Sequence, residues 1–378
     1  VTVVLVADPA QEPTGYPVVP RFLRLLERGW DPHLVLMGAG SARIERGLPP
    51  ETRGRVHGIA SPARRTGRPA SWGGLARARR AGSDRQEART LRSLVNSVDA
   101  ELVHLPSAAI ADRWLRSTDG LSGRVVLSLC GGDLDADVLA ADNGHSILWE
   151  RAAALCVESV GMAEVAARHG APSGRTRVVP PVPDAEPGRA DPRADDADGS
   201  FRILGIGPLS WTHGYEHALV AVDLLRRRGV PCRYRIVGRG RYEDAVAFAR
   251  YQLDLEDCVE ILTLSRPEEL REQLDWADAY LNASVIASSP KHLIDAQARG
   301  VPVVTTEEPP AGPESALVVP AYDPKALADA LGLLATDTAL RARVTREGQE
   351  GAVAPRALPE QLDRFCELYD AVRSGAVS

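Results

Sequence analysis

The sequence predicts an α/β chain built from two parallel-sheet halves of similar size, and three observations carry that prediction. Short apolar runs of strand length recur from residue 1 to residue 306, helical patterns separate them, and one aperiodic stretch, "PDAEPGRADPRADDADGS" at 183–200, divides the series in two. Strands covered on both faces read as near-continuous apolar runs, and strand–helix alternation builds a parallel sheet with helices on each side.

Length and composition set the bounds. At roughly 150 residues per domain, 378 residues make two domains. A hydrophobic content of 44% and a charged content of 25% are those of a soluble globular chain. No apolar run reaches the roughly 18 to 20 residues of a membrane span. The opening run at 1–7 lacks the charged start and cleavage site of a signal peptide, so the expected location is cytoplasmic. The five cysteines are odd in number, far apart and without CxxC or His-rich spacing, which predicts free thiols and no metal site. A net charge of −6 argues against a general nucleic-acid binder, whose footprint is basic.

In the first half the strands are "VTVVLVA" (1–7), "HLVLM" (33–37), "ELVHL" (101–105), "RVVLSL" (124–129) and "ALCVES" (154–159), with a helix over 21–29 between the first two. The 183–200 stretch is rich in Pro, Asp, Gly and Ala and reads as a linker. The second half alternates more cleanly: strands at 201–207, 233–238, 258–262, 279–284 and 301–306, and helices at 216–228, 242–253, 267–276 and 290–299. Residues 324–373 read as helical, ending in "PEQLDRFCELYDAV", whose Leu362, Phe365, Leu368 and Tyr369 suit docking on a domain face. The expected organisation is two Rossmann-like domains at 1–182 and 201–355 facing each other across a cleft, the linker at 183–200, and a C-terminal helix at 356–378 packing back on the body. Ligands of such sheets sit beyond the carboxyl ends of the strands, so the loops after Ile206, Val237 and Asn282 are expected to line the site.

Two local stretches carry chemistry. "SPARRTGRPASWGGLARARRAGSDRQEARTLR" (61–92) holds nine arginines against Asp84 and Glu87. It reads either as a patch for an acidic acceptor or a weak membrane-surface contact, or as a solvated loop and exposed helix face. "SSPKHLIDAQARGVPVV" (288–304) reads as a capped helix leading into a buried strand. Ser288 and Ser289 are expected to cap it, Pro290 to open it, and Lys291 to add a cation where the helix already attracts anions.

The run "GIGPLSWTHGYEHALVAVDLLRRRGVPCRYRIVGRGRYEDAVAFARYQLDLEDCVEIL", followed by "LDWADAYLNASV" and "AQARGVPVV", resembles the nucleotide-sugar-binding domain of the family-4 retaining glycosyltransferases, above all the exopolysaccharide and colanic acid branch. The resemblance covers most of 201–345. The first half is similar only in "PTGYPVVPRFLRLLERGWDPHLVL", "VVLSLCGGDL" and "CVESVGMAEVAARHGAP". It implies the GT-B fold and transfer of a sugar from a nucleotide diphosphate sugar to an acceptor, with retention and without a required metal. It also implies a donor site at Gly207, His213, the helix start at Ser288 and Ser289, and Asp295, to which Lys291 is an addition read from the helix itself, with acceptor-side candidates at Gly15, Cys130 and Asp133.

Several positions depart from the family pattern. Pro208 stands where the family has an Arg after the first-loop Gly, and His213 where it has a Lys; both family cations hold the donor diphosphate. Ala287 and Asp295 replace the two spaced Glu residues, Cys130 replaces an acceptor-side His, and "TTEEPPAGPES" (305–315) lacks the Gly-Gly pair. Charged hydrogen bonds contribute about 1.5 to 3 kcal/mol each, so uncompensated loss of both cations costs roughly a hundred- to ten-thousandfold in rate. Arg239 and Arg241, after the next strand, are the candidates to compensate, against their being solvated loop residues. Two functions follow: a sugar transferase with a remodelled donor site, or a catalytically silent relative that supports an active partner transferase.

Overall fold

A computed structural model describes residues 1–7, 18–37, 41–59, 73–115, 123–134, 146–183, 199–264, 267–353 and 358–377. The chain divides into two compact units, Val1–Val179 with Pro359–Ser378, and Pro180–Leu358. The segment read as a linker falls almost wholly outside the described residues.

The first unit runs β1 (Thr2–Ala7), α1 (Val18–Glu27), β2 (Asp31–Met37), α2 (Ser41–Gly47), β3 (Val56–Ile59), α3 (Gly73–Ser97), β4 (Leu102–Leu105), α4 (Ala108–Leu115), β5 (Arg124–Leu129), α5 (Ser146–Arg151), β6 (Ala152–Val157), α6 (Val160–Arg168) and β7 (Thr176–Val178). Its sheet has the order β3-β2-β1-β4-β5-β6-β7, and every recorded pairing is parallel. The central strands are buried along nearly their whole length, as their apolar runs require. Of the Arg-rich segment, α3 turns Ala88, Leu91 and Val95 inward and leaves Arg85 and Arg89 exposed, while 61–72 lie outside the described residues.

The second unit runs β8 (Phe201–Ile206), α7 (Tyr215–Arg227), β9 (Cys232–Val237), α8 (Glu243–Gln252), β10 (Val259–Leu262), α9 (Pro267–Trp276), β11 (Ala279–Asn282), α10 (Lys291–Ala298), β12 (Val303–Thr305), β13 (Leu317–Val318), α11 (Pro324–Thr336) and α12 (Thr338–Val353). Its parallel sheet has the order β10-β9-β8-β11-β12-β13. Neighbouring residues of β8 face opposite sides. Ile203 joins the core with Leu219, Val222 and Leu331, and Leu204 the core with Tyr280, Leu293 and Val303. The order reverses between β8 and β11, where the connections leave in opposite directions and open a crevice at the strands' carboxyl ends.

The chain then returns to the first unit. Helix α13 (Leu358–Ser374) buries Leu362, Phe365, Leu368, Tyr369 and Val372 in that unit's core. A buried polar group fixes it there: His104 Nδ1 accepts from the Tyr369 hydroxyl at 2.5 Å and from Arg21 Nη1 at 3.1 Å, and its Nε2 lies 2.8 Å from Ser128 Oγ. Arginine only donates, so the ring proton sits on Nε2. The Arg21 guanidinium lies 3.7 Å over the Phe365 ring, an attraction strengthened by desolvation. The described cysteines are all free thiols. Among the described residues no helix is long and apolar enough to cross a membrane.

Candidate functional site

The crevice of the second unit is built by three loops and one helix. After β8 the chain passes Gly207 and Pro208, makes a short turn over Trp211–His213, and enters α7 through Gly214. Gly214 has φ +61°, and a Cβ there would collide with the Ala283 carbonyl oxygen. Only glycine meets both demands. The Thr212 carbonyl accepts from the Val285 N–H at 2.8 Å, tying this loop to the one after β11. The Leu209 N–H donates to the Arg239 carbonyl at 2.9 Å, tying it to the loop after β9. The Tyr215 hydroxyl donates to the Gly207 carbonyl at 3.0 Å, and burial pushes that phenol far up, so it stays a donor.

His213 is half-buried against Gly207, with Nδ1 2.8 Å from Ser210 Oγ and its ring stacked on Tyr215. It thus stands at the crevice as an anchored ring. Pro208 adds neither charge nor N–H beside it. Arg239 and Arg241 are exposed on the same rim.

The helix read from "SSPKHL" begins one residue later than expected. Pro290 is its N-cap, Lys291 its first residue, and the Pro290 carbonyl accepts the first intrahelical bond, from Ile294 N at 2.9 Å. The N–H groups of Lys291, His292 and Leu293 precede that bond and lack partners within the helix. Of the two expected serine caps, Ser289 reaches a leading N–H and Ser288 does not. Ser289 Oγ accepts from Lys291 N at a long 3.4 Å, and Ser288 turns to the Glu307 carboxylate. Lys291 is placed differently from the expectation too. Its Nζ lies 2.6 and 2.5 Å from the Asp295 oxygens, one helical turn on, and the two residues are 2% and 1% exposed. Burial pushes the Asp295 carboxyl up, but His292, whose Nδ1 is 3.8 Å away, and the Lys291 charge outweigh it and hold the carboxyl below its usual value. The sequence expectation gave both Lys291 and Asp295 to the donor; in the structure they bond to each other.

Glu307 is the residue sequence reasoning missed. It lies two residues past the end of β12, and its carboxylate accepts from Ser288 N at 3.1 and 3.2 Å, Ser288 Oγ at 2.9 Å and Asn282 Nδ2 at 3.3 Å. Its own N–H donates to Thr305 Oγ1 at 3.0 Å, and Asn282 Oδ1 accepts from Ser284 Oγ at 2.6 Å. Burial raises the Glu307 carboxyl above its usual range, against the Ser288, Asn282 and Ser284 bonds that favour the ionised form. A readable signal existed: Asn282 and Glu307 are polar residues at the ends of otherwise apolar strands, where side chains meet the rim.

In the first unit, Cys130 and Asp133 are brought together at the end of β5. The Asp133 carboxylate accepts from Cys130 N at 2.9 Å and closes the turn over Gly131–Leu134. The Cys130 thiol donates to the Pro106 carbonyl at 3.6 Å, and burial, reinforced by Glu158 and Asp133, pushes it well up. A neutral thiol stands there, and Glu158 beside it is 1% exposed. Gly15, the third acceptor-side candidate, lies outside the described residues.

Residues 200–337 match the family described as Glycosyl transferases group 1. The amylovoran biosynthesis glycosyltransferase AmsK of Erwinia amylovora is 34% identical over 113 residues, 28% of this chain and 28% of that protein. WcaL of Escherichia coli (strain K12), assigned to colanic acid biosynthesis, is 32% identical over 175 residues, 43% of each chain. The matched stretch therefore spans less than half the length of either relative. Among solved structures, sucrose-phosphate synthase from Thermosynechococcus elongatus superposes with a TM-score of 0.71 at 18% identity, covering 99% of both chains. Anabaena HepE, solved with UDP and glucose, gives 0.68 at 13% identity, covering 98% of this chain and 99% of that one. The fold is GT-B, with two Rossmann-like units.

Proposed function

We propose that this chain, whose second unit carries a glycosyl transferases group 1 domain, transfers a sugar from a nucleotide diphosphate sugar to an acceptor of unidentified chemistry, with retention and through a remodelled donor site. One observation carries the reading. Inside the matched stretch, the loops after β8, β9 and β11 meet at the switch point beside the head of α10, whose leading N–H groups lie ahead of the first helical bond. Such a helix end attracts phosphate through its N–H groups and its dipole. In this reading the α10 backbone and Gly207 hold the diphosphate, His213 and the exposed Arg239 and Arg241 add polar contacts, and Lys291 with Asp295 form the wall behind them. The acceptor belongs to the first unit, with Cys130 and Asp133 shaping its rim. Transfer needs no metal, so a chelator leaves it unchanged. The arginines of 61–92 give the chain a weak hold on an anionic membrane surface, at the cytoplasmic face.

A second reading keeps the binding and drops the chemistry: the chain supports an active partner transferase. The closed Lys291–Asp295 pair favours it, because no lysine is then left for the diphosphate at this helix. A hydrolysis and transfer screen of the purified chain across nucleotide sugars separates the two. UDP-sugars come first, because HepE was solved with UDP and glucose. Turnover of any one supports the transferase; diphosphate binding without turnover supports the silent partner; neither binding nor turnover removes both.

A further inference from the structure

Donors at the head of α10 are already bonded to an anion, and that anion is the chain's own. The Glu307 carboxylate takes both the N–H and the hydroxyl of Ser288, at 3.1 and 2.9 Å. A phosphate oxygen would seek the same two donors, since both anions favour short, charge-assisted bonds to backbone N–H and hydroxyl groups. We propose that Glu307 is a displaceable internal anion: it fills the Ser288 donors when the site is empty, and the diphosphate of the donor takes its place. The inference rests on the donor-site reading above and adds a gate to it, in which donor binding and departure of the segment after β12 are one event.

Two contrasts argue that this carboxylate is the group that moves. Asp295 is 1% exposed and locked to a lysine. Glu307 is only half-buried, and the groups that bond its carboxylate, Ser288, Asn282 and Ser284, are neutral. Exchanging one anion for another on neutral donors strands no buried cation, whereas moving Asp295 would. The groups left behind also have other partners: Asn282 stays bonded to Ser284, and Ser284 Oγ lies 3.2 Å from Ser288 Oγ. The neighbouring titratable groups do not compete. The Tyr280 hydroxyl donates to the Ile206 carbonyl at 3.3 Å, and Lys291 and Asp295 are closed on each other.

The test is calorimetric titration of the full-length chain with UDP, GDP and ADP, and with uridine as the phosphate-free control. Glu307→Gln keeps the shape and removes the charge; Glu307→Asp keeps the charge and withdraws it by one methylene. Both variants are expected to bind the diphosphate more tightly than wild type, the Gln variant on the order of tenfold, with uridine unchanged. The Asp variant gives the answer independently if the Gln variant does not fold. Equal or weaker diphosphate binding by folded variants overturns the gate and makes Glu307 a fixed wall of the site, leaving the donor-site reading intact. Absence of diphosphate binding in wild type and both variants overturns the donor-site reading and the gate together.

Discussion

At the scale of single residues, the least expected feature is the buried Lys291–Asp295 pair. Removing one partner of a buried ion pair strands the other, which costs about 3 to 5 kcal/mol. Lys291→Ala should therefore lower the unfolding free energy in urea by about that much, while Lys291→Met combined with Asp295→Leu should recover most of it. A fully stable Lys291→Ala would mean that the pair is not closed in solution. His104 makes a second residue-scale prediction. Burial first, and then the Arg21 charge, hold this imidazole well below its ordinary 6.5. The folded state thus keeps it neutral where the unfolded chain takes up a proton, so stability is complete above about pH 6.5 and falls as pH drops through that value. The slope approaches 1.4 kcal/mol per pH unit for one such group, and His57, lowered by burial and by His33, acts in the same direction. Urea midpoints at pH 7.5 and 5.5 should differ more in wild type than in His104→Gln; equal differences would assign the loss to other groups.

At the scale of elements, the central strands and the β10 edge were legible and the other three edge strands were not. β1, β4 and β5 carry apolar runs because helices and neighbouring strands cover them. β3 and β7 close the two edges of the first sheet and β13 one edge of the second. These are two to four residues long and partly exposed, so they lack the apolar signal by which a strand is read. The α10 cradle was half legible. The sequence showed where the helix begins to within a residue, but which side chains fill its mouth depends on Glu307, nineteen positions from Ser288 and brought there by β12. Periodicity carries no information about such a pairing. The turn into α7 is more local, and its prediction is sharp. Gly214→Ala puts a Cβ into the Ala283 carbonyl at a left-handed backbone position, so it should cost more than the roughly 1 kcal/mol of an ordinary Gly exchange. It should also separate the β8 and β11 loops. A melting temperature equal to wild type would show that the two loops do not lean on each other there.

At the scale of the whole molecule, the chain leaves its first unit near Val179, builds the second, and returns through α13, so the first unit is complete only when the last residues are in place. The fold class was legible because both halves repeat one alternation. The division of the chain was less so, because a returning helix has the same amphipathic pattern whichever unit it joins; the Tyr369–His104 contact that settles it spans 265 positions. On the proposed function, the second unit binds a diphosphate at the head of α10. The most direct test is a crystal structure of the full chain grown with a saturating nucleoside diphosphate. Phosphate oxygens are expected within hydrogen-bond distance of the Ser288, His292 or Leu293 N–H groups, with the Glu307 carboxylate withdrawn from Ser288. A diphosphate bound elsewhere in the chain, with Glu307 still on Ser288, would contradict it.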